Sequence, residues 1–309
     1  MKIVKKEDPI ELKQLITLIF GEPGVGKTSL GFSTNKPLLL DFDRGAHRSA
    51  FRGDSVQVES WDEVANLQAK DLKGFDTIVV DTVGRQLDLI TAHLAAHDSR
   101  LTRSTGELSL QGYGALKAAF HAWIHRLQTF GLDIVLVAHS REDKRARDEV
   151  VQRPDIQGGS FAEVLKVTDM VGFLHHSQGG AVLDFSPTET HIGKNAPGFD
   201  PFMVPDLNQS PAFLADVFAE AKEILNTRNH ASQATANTVS EWRKGIDGTA
   251  DGEELSQVLD QAKKKLEKAE PSAWVQVRTL IAEQSKALGV TYDKKSGHFV
   301  APEQDNVAA

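Results

Sequence analysis

Short apolar runs rich in Leu, Ile and Val recur along the first half of the chain: LITLIF, KPLLLDFD, SVQVES, FDTIVVDT and LDIVLVAHS, each closing on a polar cluster. Runs of this kind predict buried parallel strands. Between them, Leu87, Ile90 and Leu94 share one helical face, and Leu116, Phe120, Trp123, Leu127 and Phe130 share another. Alternating strand and helix predicts an α/β fold with a mainly parallel sheet and right-handed crossovers.

After Gly158 the pattern shortens to VGFLHH, AVLDFS and ETHIGK, separated by QGG and SPT, which predicts antiparallel strands at the sheet's edge. A helix from about Pro211 to Leu225 has an apolar side and is expected to close a main domain over residues 1–225. Residues 226–252 are poor in large apolar side chains and rich in Asn, Ser, Thr, Ala and Gly, and read as a linker. Beyond it, Leu255, Val258, Leu259, Ala262 and Leu266 form one stripe, and Trp274, Val277, Ile281 and Leu288 another, with Pro271 between them. A small helical C-terminal region over 253–309 is expected.

At 309 residues the chain is long enough for one sizeable core and an appendage. Its 40% hydrophobic and 25% charged content is that of an ordinary globular protein, and its apolar runs are far shorter than the ~18 residues of a membrane span. The amino end, MKIVKKEDPIELKQ, is charged where a signal peptide would be apolar, so a cytoplasmic protein without a membrane partner is expected. There is no cysteine, which excludes disulfides, thiolate metal sites and thiol nucleophiles. The net charge of −8 argues against a surface that is basic all over but leaves room for a local basic lane.

The candidate chemistry starts at GEPGVGKT, Gly21–Thr28, which fits G-x-x-x-x-G-K-[ST] with an apolar strand before it and a helical segment after it. Gly21, Glu22, Pro23, Gly24, Val25, Gly26, Lys27, Thr28 and Ser29 form the candidate nucleotide-binding segment. Its glycines let backbone N–H groups converge on phosphate oxygens. Lys27 would reach the β- and γ-phosphates, and Thr28 would give a hydroxyl to Mg²⁺, so ATP and Mg²⁺ are the expected cofactors. The alternative is a plain glycine-rich turn before a helix.

In FDTIVVDT, the run through Val80 ends in Asp81, a second candidate for the Mg²⁺ shell. Hydrolysis also needs a carboxylate that positions water. Asp41 and Asp43 stand on one face of KPLLLDFDRG by strand alternation, and Asp43 lies nearer the carboxyl end, where open α/β sheets bind ligands. Capping of the next turn is the competing role for both. LDIVLVAHS ends in His139 and Ser140, where a polar side chain could sense the γ-phosphate, or simply be a satisfied strand-end histidine.

These pieces, in this order, resemble the RecA-like recombinase ATPases, most closely the small phage-encoded RecA-like proteins found beside single-strand annealing proteins. The resemblance covers about Leu15 to Phe202 and rests on GEPGVGKT, LLLDFDRG, TIVVDT, IVLVAHS, and QGGSFAEVLKVTDMVGFL followed by HIGKNAPG. It implies a RecA-like ATPase domain with a catalytic carboxylate at Asp43, where the family more often has Glu, and therefore slow hydrolysis. It implies a γ-phosphate sensor at His139, where the family has Gln. It also implies two mobile DNA-binding loops, one around DSRLTRSTGELSLQG and one over Ser140–Gly158. The second carries Arg141, Lys144, Arg145, Arg147 and Arg153 but nearly as many carboxylates, so its net charge is barely positive.

By the same resemblance the protein assembles with itself as a filament or ring, and Lys194 sits where the family carries a lysine that senses a neighbour's γ-phosphate. Arg44 and Arg48 are further cations near the site. The implied partner is single-stranded DNA, with a single-strand annealing or binding protein as a second partner. The resemblance thus implies a DNA-stimulated ATPase that works in recombination or annealing. The alternatives are an ATP-switched helicase loader or ring scaffold with a protein partner, and a small-molecule kinase. The kinase reading is weakened by the lack of an arginine-rich lid.

Overall fold

The structure is a computed structural model that describes residues 4, 8, 10–144 and 150–301. In chain order the elements begin β1 (Ile16–Gly21), α1 (Lys27–Phe32), β2 (Pro37–Asp41), β3 (Asp54–Gln57), α2 (Trp61–Ala65), β4 (Thr77–Asp81), α3 (Val83–His97) and α4 (Leu110–Gln128). They continue as β5 (Asp133–Lys144), β6 (Val150–Pro154), α5 (Gly158–Val167), β7 (Met170–Ser177), β8 (Gly180–Asp184), β9 (Lys194–Asn195) and β10 (Phe202–Met203). Then follow α6 (Phe213–Asp247), α7 (Gly252–Leu266), α8 (Pro271–Ala287), β11 (Thr291–Asp293) and β12 (His298–Val300).

Strands β1 to β10 form one sheet, ordered β10-β8-β7-β1-β5-β4-β2-β3, with β6 paired to β5 and β9 to β7. β7, β1, β5, β4, β2 and β3 run parallel, while β8, β9, β10 and β6 pair antiparallel to their neighbours. This is the mainly parallel sheet with an antiparallel edge that the strand pattern predicts.

Side-chain alternation divides the core between the two faces of that sheet. Ile16, Leu18 and Phe20 of β1, Ile78 and Val80 of β4, and Ile134, Leu136 and Ala138 of β5 pack in one cluster with Leu116, Phe120 and Trp123 of α4. Ile19, Val79, Val135 and Val137 point the other way, to Leu30 of α1 and Leu214, Val217 and Phe218 of α6. The run SVQVES departs from expectation: β3 is exposed along its whole length because it is the outermost parallel strand.

Two further stretches differ from the sequence reading. Ser140–Gly158, expected as a mobile loop, is largely a β-hairpin: β5 continues to Lys144 and returns as β6, with Ser140 opposite Pro154 and Lys144 opposite Val150. The segment around DSRLTRSTGELSLQG is also anchored, by the buried Leu101 and Leu108 and by a bridge from Thr102 to Leu108.

The chain divides into two compact units, Leu12–Leu225 and a second made of the residues before and after that span. Segment 226–252, expected as a linker, is helical through Asp247 as the continuation of α6. It contains no proline, and Val239, Trp242 and Ile246 recur at helical spacing and join the apolar cluster of the second unit. That cluster includes Leu255, Ala262 and Leu266 of α7 and Ala273, Val277 and Ile281 of α8, the helical pair the stripes predict. Asp251 caps α7 by accepting from the Glu253 and Glu254 N–H groups, and Pro271 opens α8. β11 and β12 form a small hairpin, tied to α7 where Phe299 N–H donates to Ser256 Oγ at 2.8 Å. No described helix is long and apolar enough to cross a membrane.

Candidate functional site

The carboxyl ends of β1, β2, β4 and β5 surround a cavity of about 840 Å³, within the ~300–1,000 Å³ usual for ligand pockets. GEPGVGKT forms one wall. Gly21 ends β1, and a Cβ there would lie 2.1 Å from the Leu174 carbonyl oxygen of β7, so only glycine lets the two strands approach. Gly24 and Gly26 have φ of 83° and 99°, the left-handed region in which glycine is favoured. Val25 points away from the cavity into the core and anchors the turn. Pro23, Gly24, Gly26, Lys27, Thr28 and Ser29 line the cavity, whereas Gly21, Glu22 and Val25 do not.

Lys27 is buried, and its ammonium donates to the carbonyls of Gly21 at 2.9 Å and Glu22 at 2.7 Å. Burial brings its pKa down to about 8, with Asp81 the largest opposing influence. The Thr28 hydroxyl donates to Asp81 Oδ2 at 2.6 Å. Asp81 ends β4, level with Asp41 of β2 and Val137 of β5. Its carboxyl is pushed up to about 6, chiefly by burial, while the Thr28 hydrogen bond acts in the opposite sense. Lys27, Thr28 and Asp81 therefore meet in one place, as the motif spacing predicts.

Asp41 and Asp43 part ways. Asp41 is buried and caps the turn that follows β2, accepting from Gly45 N–H and Ala46 N–H at 2.9 Å each. Asp43, two residues on, faces the cavity, where Arg48 approaches Oδ2 at 3.2 Å and Arg85 approaches Oδ1 at 3.3 Å. Arg44, also considered from the sequence, turns toward Glu59 at 4.0 Å.

His139 stands beside Gly21 in the parallel register of β5 and β1 and lines the cavity. Its Nδ1 is buried with no hydrogen-bond partner, and burial, then the Lys27 charge, pulls its pKa below the ordinary histidine value. The charged imidazole is thus disfavoured where the strand passes into the β5–β6 hairpin.

The remaining predicted residues lie elsewhere. Lys194, on β9 opposite Val171, donates to the Thr168 carbonyl toward the amino ends of the parallel strands, away from its own chain's cavity. Arg141 pairs with Asp143 at 3.3 Å and Asp155 at 3.6 Å; Arg153 pairs with Asp143 and lies 5.0 Å from the Phe161 ring centroid. Lys144 is exposed at the end of β5. Arg145 and Arg147 lie outside the described residues. Arg85 escaped the sequence reading. Its one signal is its position four residues after Asp81, in the first turn of a helix that Thr82 caps by accepting from Arg85 N–H.

Residues 13–196, more than half of the chain, match the family described as AAA domain. No curated protein sequence matches the chain. Solved structures that it resembles include one described as an ATPase domain, 10% identical, with a TM-score of 0.34 over 62% of this chain and 80% of that one. They also include the KaiC-like protein PH0186 from the hyperthermophilic archaeon Pyrococcus horikoshii OT3, 10% identical, with a TM-score of 0.30 over 55% and 76%. With the glycine-rich turn GEPGVGKT at the end of β1, β5 inserted between that strand and the one ending in Asp81, and the family match spanning all of these residues, the chain belongs to the AAA domain family and is a P-loop ATPase built on a mainly parallel α/β sheet.

Proposed function

We propose that this ATPase binds ATP with Mg²⁺ in the β1–β5 cavity and uses it to switch the β5–β6 hairpin on single-stranded DNA. It works in the cytoplasm in phage-type recombination or annealing, alongside a single-strand annealing or binding protein. The observation that carries the reading is the continuity of β5. His139, with its unpartnered Nδ1, lines the cavity, and the next residue, Ser140, already belongs to the hairpin. A side chain that hydrogen-bonds a terminal phosphate there would pull directly on the strand that leads outward.

In this reading Gly24, Gly26 and the N–H groups that open α1 cradle the phosphates, and Lys27 leaves its loop carbonyls for the β- and γ-oxygens. Thr28 and Asp81 fit a magnesium ion: they present two hard oxygens side by side, and a cation would relieve the cost of burying the Asp81 carboxylate. Mg²⁺ supplies charge neutralisation across the phosphates. Asp43 positions the attacking water, with slow turnover expected from its short side chain. Lys194, remote from its own cavity, acts toward a neighbouring copy in a filament or ring.

One observation favours a protein partner instead, as in a helicase loader or ring scaffold. Arg141 and Arg153 are paired with Asp143 and Asp155, which offsets much of the positive charge on the described part of the hairpin. ATP turnover with and without saturating single-stranded DNA, together with electron microscopy using a non-hydrolysable ATP analogue, separates the two. DNA-stimulated turnover with DNA-dependent assembly is expected. Turnover and oligomeric state both indifferent to DNA would sink the DNA reading and leave the protein-partner one.

A further inference from the structure

Two arginines from different elements converge on Asp43. Arg48 reaches it from the turn after β2 and Arg85 from the first turn of α3, each through a single nitrogen, at 3.2 and 3.3 Å. Neither guanidinium therefore spends its two-pronged fork on the carboxylate. The arginine side chains are 64% and 61% exposed, against 23% for Asp43. Ion pairs as open as these contribute little to stability and exchange readily for a better partner. Arg48 reaches Asp43 by folding over Gly45, where a Cβ would come within 2.7 Å of its terminal nitrogen. All three charged groups line the cavity that also holds Lys27 and Thr28, although neither arginine belongs to the phosphate-binding turn.

We propose that Arg48 and Arg85 form a phosphate-operated latch on Asp43. Together they hold the carboxylate until the terminal phosphate of a nucleoside triphosphate takes their guanidiniums and frees Asp43 to orient water. The inference rests on the reading that nucleotide binds at GEPGVGKT. A terminal phosphate carries more charge than a carboxylate and presents paired oxygens that match the guanidinium fork. Arg85 keeps a second carboxylate, Asp88 at 3.3 Å, which tethers it near the cavity as it changes partner. A diphosphate lacks the oxygens that compete, so the latch closes again once the terminal phosphate has left. Arg48 and Arg85 are positioning residues for the water-directing carboxylate and, at the same time, the part of the site that tells triphosphate from diphosphate.

The test is equilibrium binding of ADP and of a non-hydrolysable ATP analogue to four proteins: the native chain, Asp43→Asn, the Arg48→Ala/Arg85→Ala double variant, and the triple variant, each checked by thermal melting. Asp43→Asn releases the arginines in advance, so the analogue should bind about three- to fivefold more tightly, with ADP affinity unchanged. The double variant should lose affinity for the analogue more than for ADP. In the triple variant the gain from Asp43→Asn should vanish. The latch is overturned if Asp43→Asn tightens both nucleotides alike, or if the gain persists without the arginines, since simple charge repulsion would then explain it. Failure of the underlying reading looks different: Lys27→Ala would then bind both nucleotides as the native protein does.

Discussion

The Thr28 hydroxyl donates to Asp81 Oδ2 across 2.6 Å, joining residues 53 apart in sequence, one in the first turn of the helix that follows β1 and one at the end of β4, which does not neighbour β1. β5 lies between β1 and β4, so the pair can meet only above the sheet, where α1 begins and β4 stops. The contact places a hydroxyl and a carboxylate beside the buried Lys27 ammonium.

Both charges are costly as they stand. Asp81 is raised from 3.8 to about 6, so the stability linked to its neutral form is complete below about pH 4 and is lost as pH rises through 6. Lys27 is lowered from 10.5 to about 8, so the stability linked to its neutral form is complete above about 10.5 and is lost as pH falls through 8. Between about 6 and 8 both are charged and buried. At pH 7, Lys27→Met should raise stability by about 1–3 kcal/mol in denaturant titration while abolishing turnover. A Lys27→Met protein less stable than the native chain would show that its hydrogen bonds to Gly21 and Glu22 outweigh the desolvation.

Magnesium should follow the same titration. If Asp81 holds the metal, Mg²⁺-dependent nucleotide affinity should fall as pH drops through about 6, because its carboxylate must then be ionised. Asp81→Asn should remove the step and most of the Mg²⁺ dependence. Nucleotide also titrates in this range, so the comparison between native and variant protein, by calorimetry, is what decides. An unchanged step in the variant would place the metal elsewhere.

The two carboxylates of LLLDFDRG should separate cleanly. Asp43→Asn should still bind ATP, at least as tightly as the native chain, and slow turnover by about 10²–10⁴-fold, the usual worth of a positioned base. Asp41→Ala removes the acceptor for two backbone N–H groups and should cost about 1–3 kcal/mol of stability. Turnover and melting measured on both variants check the assignment; normal turnover in Asp43→Asn would mean that another group directs the water.

The phosphate-binding turn and the Asp81 strand were legible in the sequence because their chemistry restricts residue type. Gly24 and Gly26 need positive φ, Gly21 must clear a neighbouring carbonyl, and a strand buried along its whole length reads as a short Ile-Val run that stops at a carboxylate. What escaped depends on pairing across space. The β5 arm of the hairpin, SREDK, is wholly polar and the β6 arm, VVQRP, sets two valines side by side, so no alternation marks the pair, and it forms because β5 extends past the sheet and folds back. The helix over 226–247 lacks large apolar residues until Val239, Trp242 and Ile246, and reads as a linker until their packing partners are seen. Arg85 carried no motif. Its importance comes from facing Asp43 across two elements.

His139 is the last point at which the site can be tested. Its imidazole lacks a partner for Nδ1, and it stands where β5 passes from the sheet into the hairpin. If it couples nucleotide to the hairpin, His139→Ala should weaken nucleotide binding by only about two- to tenfold, the net worth of one hydrogen bond, while abolishing DNA stimulation of turnover. His139→Gln, which keeps a hydrogen-bonding group at that reach, should restore part of the stimulation. Melting curves of the variants separate coupling from folding, since a buried nitrogen that bonds nothing in the protein contributes no hydrogen bond to stability. Full DNA stimulation in His139→Ala would show that the signal leaves the cavity by another route.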